Sequence, residues 1–365
     1  MADQDLSNLR NPSWFLYGPQ SAKIQDRPLP EVRDDHDVIV RIKYVGVCGS
    51  DVHFWTHGGH GLKVSKDQPL VVGHEASGVI ASVGSAVTAV TVGDKVAIEP
   101  GLPCRRCHFC KDGTYNLCKN MKFAAAPPDN HGCLTKYFRV PEDFVYKVPE
   151  QISLQEAVVV EPTAVAIHAS RLAEIRYGQT VIVMGSGTVG LLCAAVARAF
   201  GAERVVLVDI MQKKLDFAKT FVECDTFLSE PAASSEDIAA KILETFQFSE
   251  GVDAVIEASG AENSVQTGIF SLKMGGTYVQ TGIGHAFMSV PMLALSEKEL
   301  KVRGCFRYGS GDYSMALSMI AQGKIRPGLL LSGVTPFKDA TSAWEKTGRG
   351  EGIKNLIEGV PDDGM

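Results

Sequence analysis

The sequence predicts an α/β chain in which a doubly wound parallel sheet is joined to a second, β-rich domain. Three observations carry that expectation. At 365 residues the chain is longer than one core usually organises, so about two domains are expected. Its first third is dense in short apolar runs punctuated by glycine. From about Thr180 onward, continuous apolar runs alternate with segments of helical period, as βαβ units require.

The elements follow in chain order. Val38, Val40, Ile42 and Tyr44 share one face of a period-two segment, with Arg41 and Lys43 on the other, which reads as a half-buried strand. Short runs at Val71–Val72, Gly78–Ile80 and Val92–Ile98 extend this into a small, distorted barrel. Val181–Met184 is apolar throughout, as in a strand covered on both faces. Val189, Leu192, Cys193, Val196, Ala197 and Phe200 then recur at helical spacing, and Gly201 stops the helix. Val205–Val208 is the next buried run, with further strands expected at Val252–Ala258, Thr277–Thr281 and Lys301–Phe306.

Composition narrows the function classes. Hydrophobic residues make up 45% and charged residues 21%, a balance that excludes a disordered or collagen-like chain. With a net charge of −6 and no long basic block, neither nucleic acid nor an anionic membrane is an expected partner. Met1–Asn11 is polar and mixed in charge, unlike a secretory signal peptide. Tyr177–Ala197 lacks charge over 21 residues, but its glycines suit a strand, turn and helix better than a membrane span. A soluble, cytoplasmic protein is the expectation.

Two motifs carry chemistry. Gly185-Ser186-Gly187-Thr188-Val189-Gly190 lies between a strand and a helix, and Asp209 ends the next strand 19 residues after Gly190. The glycines permit a tight turn whose amides can approach a pyrophosphate, and the aspartate can accept from ribose hydroxyls. A plain strand–helix turn is the bland alternative. Separately, Cys104, Cys107, Cys110 and Cys118 fall within fifteen residues, a spacing that encloses one tetrahedral ion. Four thiolates favour a closed, structural Zn²⁺ site, and an iron–sulfur cluster calls for a different fourth spacing. Nine cysteines in a long chain fit reduced thiols better than a disulfide scaffold.

A third constellation is weaker by spacing alone. Cys48, His74, Glu75 and Glu161 offer thiolate, imidazole and carboxylate, which together suit zinc with an open position. Each also reads as core filler, a satisfied histidine or a surface charge.

Together these residues resemble, from end to end, the zinc-containing medium-chain dehydrogenases. The motifs Cys48-Gly49-Ser50-Asp51 and Gly73-His74-Glu75, the four-cysteine lobe and the dinucleotide fingerprint occur in that family's order. Within it the chain is most similar to polyol dehydrogenases acting on sorbitol, xylitol or arabinitol, and to fungal ones in keeping the lobe. Val52-His53-Phe54-Trp55, Ala97-Ile98-Glu99-Pro100-Gly101, Val160-Glu161-Pro162 and Phe306-Arg307-Tyr308-Gly309 carry that likeness. Ethanol-oxidising members have a cysteine near Glu161.

The resemblance implies a GroES-like catalytic domain over 1–162, with its structural zinc lobe at about 100–120. A Rossmann domain over 163–300 and a return to the catalytic domain over 301–365 complete it. It implies two zinc ions per chain: a catalytic one on Cys48, His74 and Glu75, reached by Glu161 directly or through water, and a structural one on the four lobe cysteines. Ser50 and His53 match a proton relay, and Phe54, Glu161, Arg307 and Tyr308 match positions lining the polyol site. Many relatives have tyrosine at Phe54. Gly185, Gly187, Val189, Gly190, Asp209, Lys214, Thr281, Gly282, Ile283, Cys305, Phe306 and Arg307 match cofactor contacts. The implied reaction is zinc-dependent oxidation of a polyol, sorbitol to fructose or xylitol to xylulose, with hydride transfer to NAD, in a homotetramer. Arabinitol, galactitol and threonine are alternative substrates, and a non-catalytic nucleotide-binding protein is a remoter alternative.

Overall fold

The computed structural model describes residues 10–59 and 62–361, so most of the polar Met1–Asn11 segment lies outside the described residues. The chain divides into two compact units. One comprises residues 1–161 and 327–365; the other, Pro162–Arg326, is inserted between them.

The first unit is a β-structure with short helices. Its main sheet is centred on the strand Asp37–Gly46, which pairs antiparallel with Glu75–Val83, Tyr137–Pro141 and Lys354–Glu358. Val38, Val40 and Ile42 are buried, as their alternation requires, but Tyr44 is not. A register shift between Ile42 and Tyr44 changes the phase, so that Val45 turns inward instead. The core gathers Trp14, Trp55, Phe337 and Trp344, with Trp344 lying 5.9 Å from Trp14 and 5.4 Å from Trp55 between ring centroids.

The inserted unit holds a six-stranded, wholly parallel sheet. In spatial order the strands are 225–228, 204–209, 180–184, 252–257, 272–280 and 301–304. Chain order reverses between Thr180–Met184 and Val252–Glu257, and such a switch point opens a crevice at the carboxyl ends of the strands. The uncharged 177–197 stretch becomes the strand Thr180–Met184 and the helix Thr188–Ala199. Among the described residues no helix is long and apolar enough to cross a membrane.

One boundary is corrected. The return to the first unit was expected at 301 but falls at Pro327. Lys301–Gly304 is the sixth strand of the parallel sheet, hydrogen-bonded to Thr277–Gln280, so that segment cannot leave the inserted unit.

Candidate active site and cofactor site

The open metal constellation is built by three local devices in the first unit. Cys48 precedes the helix Gly49–His57, where the Asp51 carboxylate reaches back to accept the Cys48 N–H at 3.0 Å. Its other oxygen accepts the Gly73 N–H at 3.2 Å and lies 3.9 Å from His74 Nδ1. Asp51 thus ties the cysteine's loop to the histidine's loop and sets a carboxylate beside the imidazole. Gly73 has φ +89°, and a Cβ there would stand 2.7 Å from Val45, so only glycine delivers His74 in this way. Glu75 begins the strand opposite Gly46, whose missing side chain makes its room: a Cβ on Gly46 would lie 2.1 Å from Glu75 Oε2.

One donor atom each from Cys48, His74 and Glu75 lies within 4.8 Å of the others. Glu161 is buried on the first turn of the helix Val160–Leu172 but stands outside that group. Burial by itself would lower the His74 pKa, yet the Cys48 thiol, Asp51 and Glu161 hold it well above its ordinary value. A sulfur, an imidazole and a carboxylate brought this close together fit a divalent cation. Lys354, a residue the sequence reading missed, balances part of this charge. Its buried Nζ lies 2.9 and 2.7 Å from the Glu75 oxygens and donates to the Val47 carbonyl at 3.2 Å. Ser50 and His53 are three residues apart on one helix, and the His53 ring stacks on His57 at 4.7 Å. Phe54 packs beside Gly59, where a Cβ would collide with its ring.

In the lobe the four cysteine sulfurs converge. Sγ separations of 3.9 Å for Cys104–Cys110 and 3.5 Å for Cys107–Cys110 bracket the roughly 3.8 Å edge that tetrahedral Zn–S bonds would give. Backbone N–H groups of Cys104 and Cys107 point at the sulfurs of Cys118 and Cys104, both at 3.4 Å, a pattern that favours thiolates. The residues fit zinc. All nine cysteines are free of disulfides.

In the inserted unit the glycine-rich turn closes as expected. Gly185 has φ +95°, and Gly190 packs so tightly that a Cβ would lie 1.9 Å from the Gly185 carbonyl. Asp209 accepts the Ser186 N–H at 2.7 Å and the Met211 N–H at 2.9 Å, which sets its carboxylate beside the turn. Gly187 caps the helix that opens with Thr188 and Val189, while Lys214 is half-buried in the helix after Asp209. Thr281 and Gly282 donate to the Glu257 carbonyl at 2.8 and 2.7 Å, and Ile283 is exposed. The Cys305 N–H donates to Gln280, and burial pushes its thiol up to about 12. Phe306 is exposed beneath the Arg307 guanidinium, 4.5 Å from the ring centroid, and Tyr308 is buried against Tyr313.

Glu257 was not foreseen. Its buried carboxylate accepts the N–H groups of Ser259 (2.8 Å) and Gly260 (2.9 Å) and the amide of Gln280 (2.7 Å), and so fixes two loops at the switch point. The only signal was an acidic residue closing a buried run, Val255-Ile256-Glu257.

Comparison with known proteins decides the family. The alcohol dehydrogenase GroES-like domain matches residues 34–150, and the zinc-binding dehydrogenase domain matches residues 188–322. The chain belongs to the zinc-containing medium-chain dehydrogenases. This dehydrogenase is 53% identical to a probable D-xylulose reductase A of Aspergillus clavatus over 97% of its length and 98% of the relative's. It is 51% identical to the D-xylulose reductase A of Aspergillus niger, with the same coverage. Among solved structures, L-idonate 5-dehydrogenase of Escherichia coli superposes with a TM-score of 0.86 at 27% identity, covering 95% of this chain and 98% of that one.

Proposed function

We propose that this dehydrogenase interconverts xylitol and D-xylulose with NAD as hydride acceptor, with sorbitol as a poorer substrate. The full-length likeness to fungal D-xylulose reductases carries the choice of polyol. Cys48, His74 and Glu75 would hold zinc, which would supply the Lewis acidity that eases loss of a hydroxyl proton. The chain's own residues do the rest. Ser50 and His53 pass the hydroxyl proton outward, a task suited to an imidazole. Glu161 and Arg307 hydrogen-bond the neighbouring hydroxyls, while Phe54 and Tyr308 shape the polyol pocket. The turn Gly185–Gly190 and Asp209 would hold the dinucleotide, which would supply the acceptor for the carbinol hydrogen as hydride while the hydroxyl proton passes to solvent.

NAD is preferred in this reading because the Asp209 carboxylate, anchored by two backbone amides, would meet a 2′-phosphate as a like charge. No arginine follows it in Ile210 or Met211. Two zinc ions per chain, one open and one closed, belong to the same proposal. So does a cytoplasmic location, supported by nine cysteines none of which is in a disulfide. So does a homotetramer, supported by exposed apolar side chains at Phe287, Met292 and Leu293 and at Val302 on the sheet's edge strand.

Steady-state kinetics test the reading. Xylitol should give the highest kcat/KM among xylitol, sorbitol, threonine and ethanol, with NAD favoured over NADP by about a hundredfold, roughly 3 kcal/mol. Threonine or ethanol matching xylitol would overturn it. In Asp209→Ser combined with Ile210→Arg the cofactor preference should shift toward NADP.

A further inference from the structure

Arg307 adopts a left-handed backbone conformation, φ +57°, which a long side chain keeps only where its surroundings impose it. Within the inserted unit those surroundings are explicit. The segment begins where the Cys305 N–H is bound to the Gln280 carbonyl at 2.8 Å. It ends at Asp312, the first residue of the helix Asp312–Ala321, whose side chain is only 1% exposed.

That carboxylate joins two elements. Its Oδ2 accepts the Gly309 N–H at 2.7 Å and lies 2.9 Å from His168 Nδ1. Its Oδ1 lies 2.5 Å from the Arg171 guanidinium, which also donates to the Ser310 carbonyl at 3.4 Å. His168 and Arg171 stand one turn apart on the helix Val160–Leu172, so a rigid element fixes the carboxylate and the carboxylate fixes the loop. Next to Asp312, Tyr313 packs edge-on against Tyr308 at 5.8 Å, pinning the residue after Arg307 as well.

We infer that Asp312 is a positioning residue for polyol selection: it holds the 306–311 loop in the one conformation that presents Arg307 to the substrate. This rests on the reading of Arg307 as a contact to the polyol's neighbouring hydroxyls. An acidic residue in a first helical turn also favours the helix electrostatically, but that role alters stability without altering substrate choice.

The test compares xylitol with 2-butanol, a secondary alcohol that lacks neighbouring hydroxyls, in the zinc-loaded enzyme at saturating NAD. Asp312→Asn keeps the size and one acceptor for Gly309 but loses the charge that holds Arg171. Its KM for xylitol should rise at least about tenfold, while kcat for 2-butanol at saturating NAD stays within about threefold. Adding Asp312→Asn to Arg307→Ala should cost xylitol turnover nothing further, because the two act through one contact. Equal losses on both alcohols, or losses that add in the double variant, would overturn the inference. Should Asp312→Asn fail to fold, His168→Gln removes one partner of the carboxylate and is read by the same ratio. An Arg307→Ala variant that loses polyol selectivity while the Asp312 and His168 variants keep it overturns this inference alone. Unchanged selectivity in Arg307→Ala overturns the Arg307 reading and this inference with it.

Discussion

Lys354 and Glu75 show how much of a candidate metal site can lie outside its proposed ligands. Both side chains are almost wholly buried, and the ammonium faces both carboxylate oxygens. Removing one partner of such a pair typically costs about 3–5 kcal/mol, because the other charge stays buried. Lys354→Met should therefore lower unfolding free energy by about that much in metal-free protein. It should lower it less once zinc is added, since the cation then faces the same carboxylate; equal losses in urea titrations would contradict this. Gly46→Ala attacks from the other side, since its methyl would occupy the space of Glu75 Oε2. Zinc affinity, measured against a chromophoric chelator, should fall about tenfold or more. His131 gives the pH dependence. Burial, with Arg27 nearby, holds its imidazole down at about 4, below the ordinary 6.5. As pH falls the unfolded chain takes up the proton first, so this stabilisation is complete above about pH 6.5 and is lost on the way to pH 4. The denaturation midpoint should drop between pH 7 and pH 5, and drop less in His131→Gln.

At the scale of elements, strongly patterned segments were legible and quiet ones were not. The strand Thr180–Met184, the helix Thr188–Ala199 and the strand Arg204–Asp209 match their apolar periods within a residue or two. Asp225–Leu228 escaped notice because it is a short outer strand with no buried residue, so no face was selected to be apolar. Cys48, His74 and Glu75 were legible as a motif, whereas Lys354 lies 279 residues from its partner and no local pattern announces it. The cysteine lobe is tied to the barrel through Glu99, whose buried carboxylate accepts from Tyr115 at 2.5 Å and Tyr146 at 2.8 Å. On the proposal of a lobe zinc, that ion would be a fold element, since structural metal binding is itself folding free energy. With two zinc ions per chain as proposed, Cys107→Ser should bring zinc content to one and lower the melting temperature, while dinucleotide binding persists. Unchanged thermal stability after loss of one zinc would show that the lobe is an appendage.

The whole molecule is one chain in which a contiguous unit interrupts a discontinuous one. Pro162–Arg326 contains all six strands of its parallel sheet, and its core of Ile182, Val206, Val255, Ile269 and Tyr278 lies wholly inside it. The first unit is different. Its sheet is completed by Lys354–Glu358, which pairs with Asp37–Gly46, and its core needs Phe337 and Trp344 from beyond the insertion. Trp14 Nε1 donates to the Phe337 carbonyl at 2.6 Å, a bond between residues 323 apart in sequence. Residues 162–326 expressed alone should therefore unfold cooperatively and bind NAD, because every strand, the glycine-rich turn and Asp209 are present. Residues 1–161 alone should not fold: they would leave Tyr44–Gly46 without the partner strand Lys354–Glu358, Glu75 without Lys354 and the Trp14–Trp55 cluster open to water. Joining 1–161 to 327–365 through a flexible linker should restore a cooperative transition. Circular dichroism melts of the three fragments, with NAD titrated into the first by calorimetry, decide the matter. A cooperative transition in 1–161 alone would mean that the returning segment is packing decoration rather than part of the core.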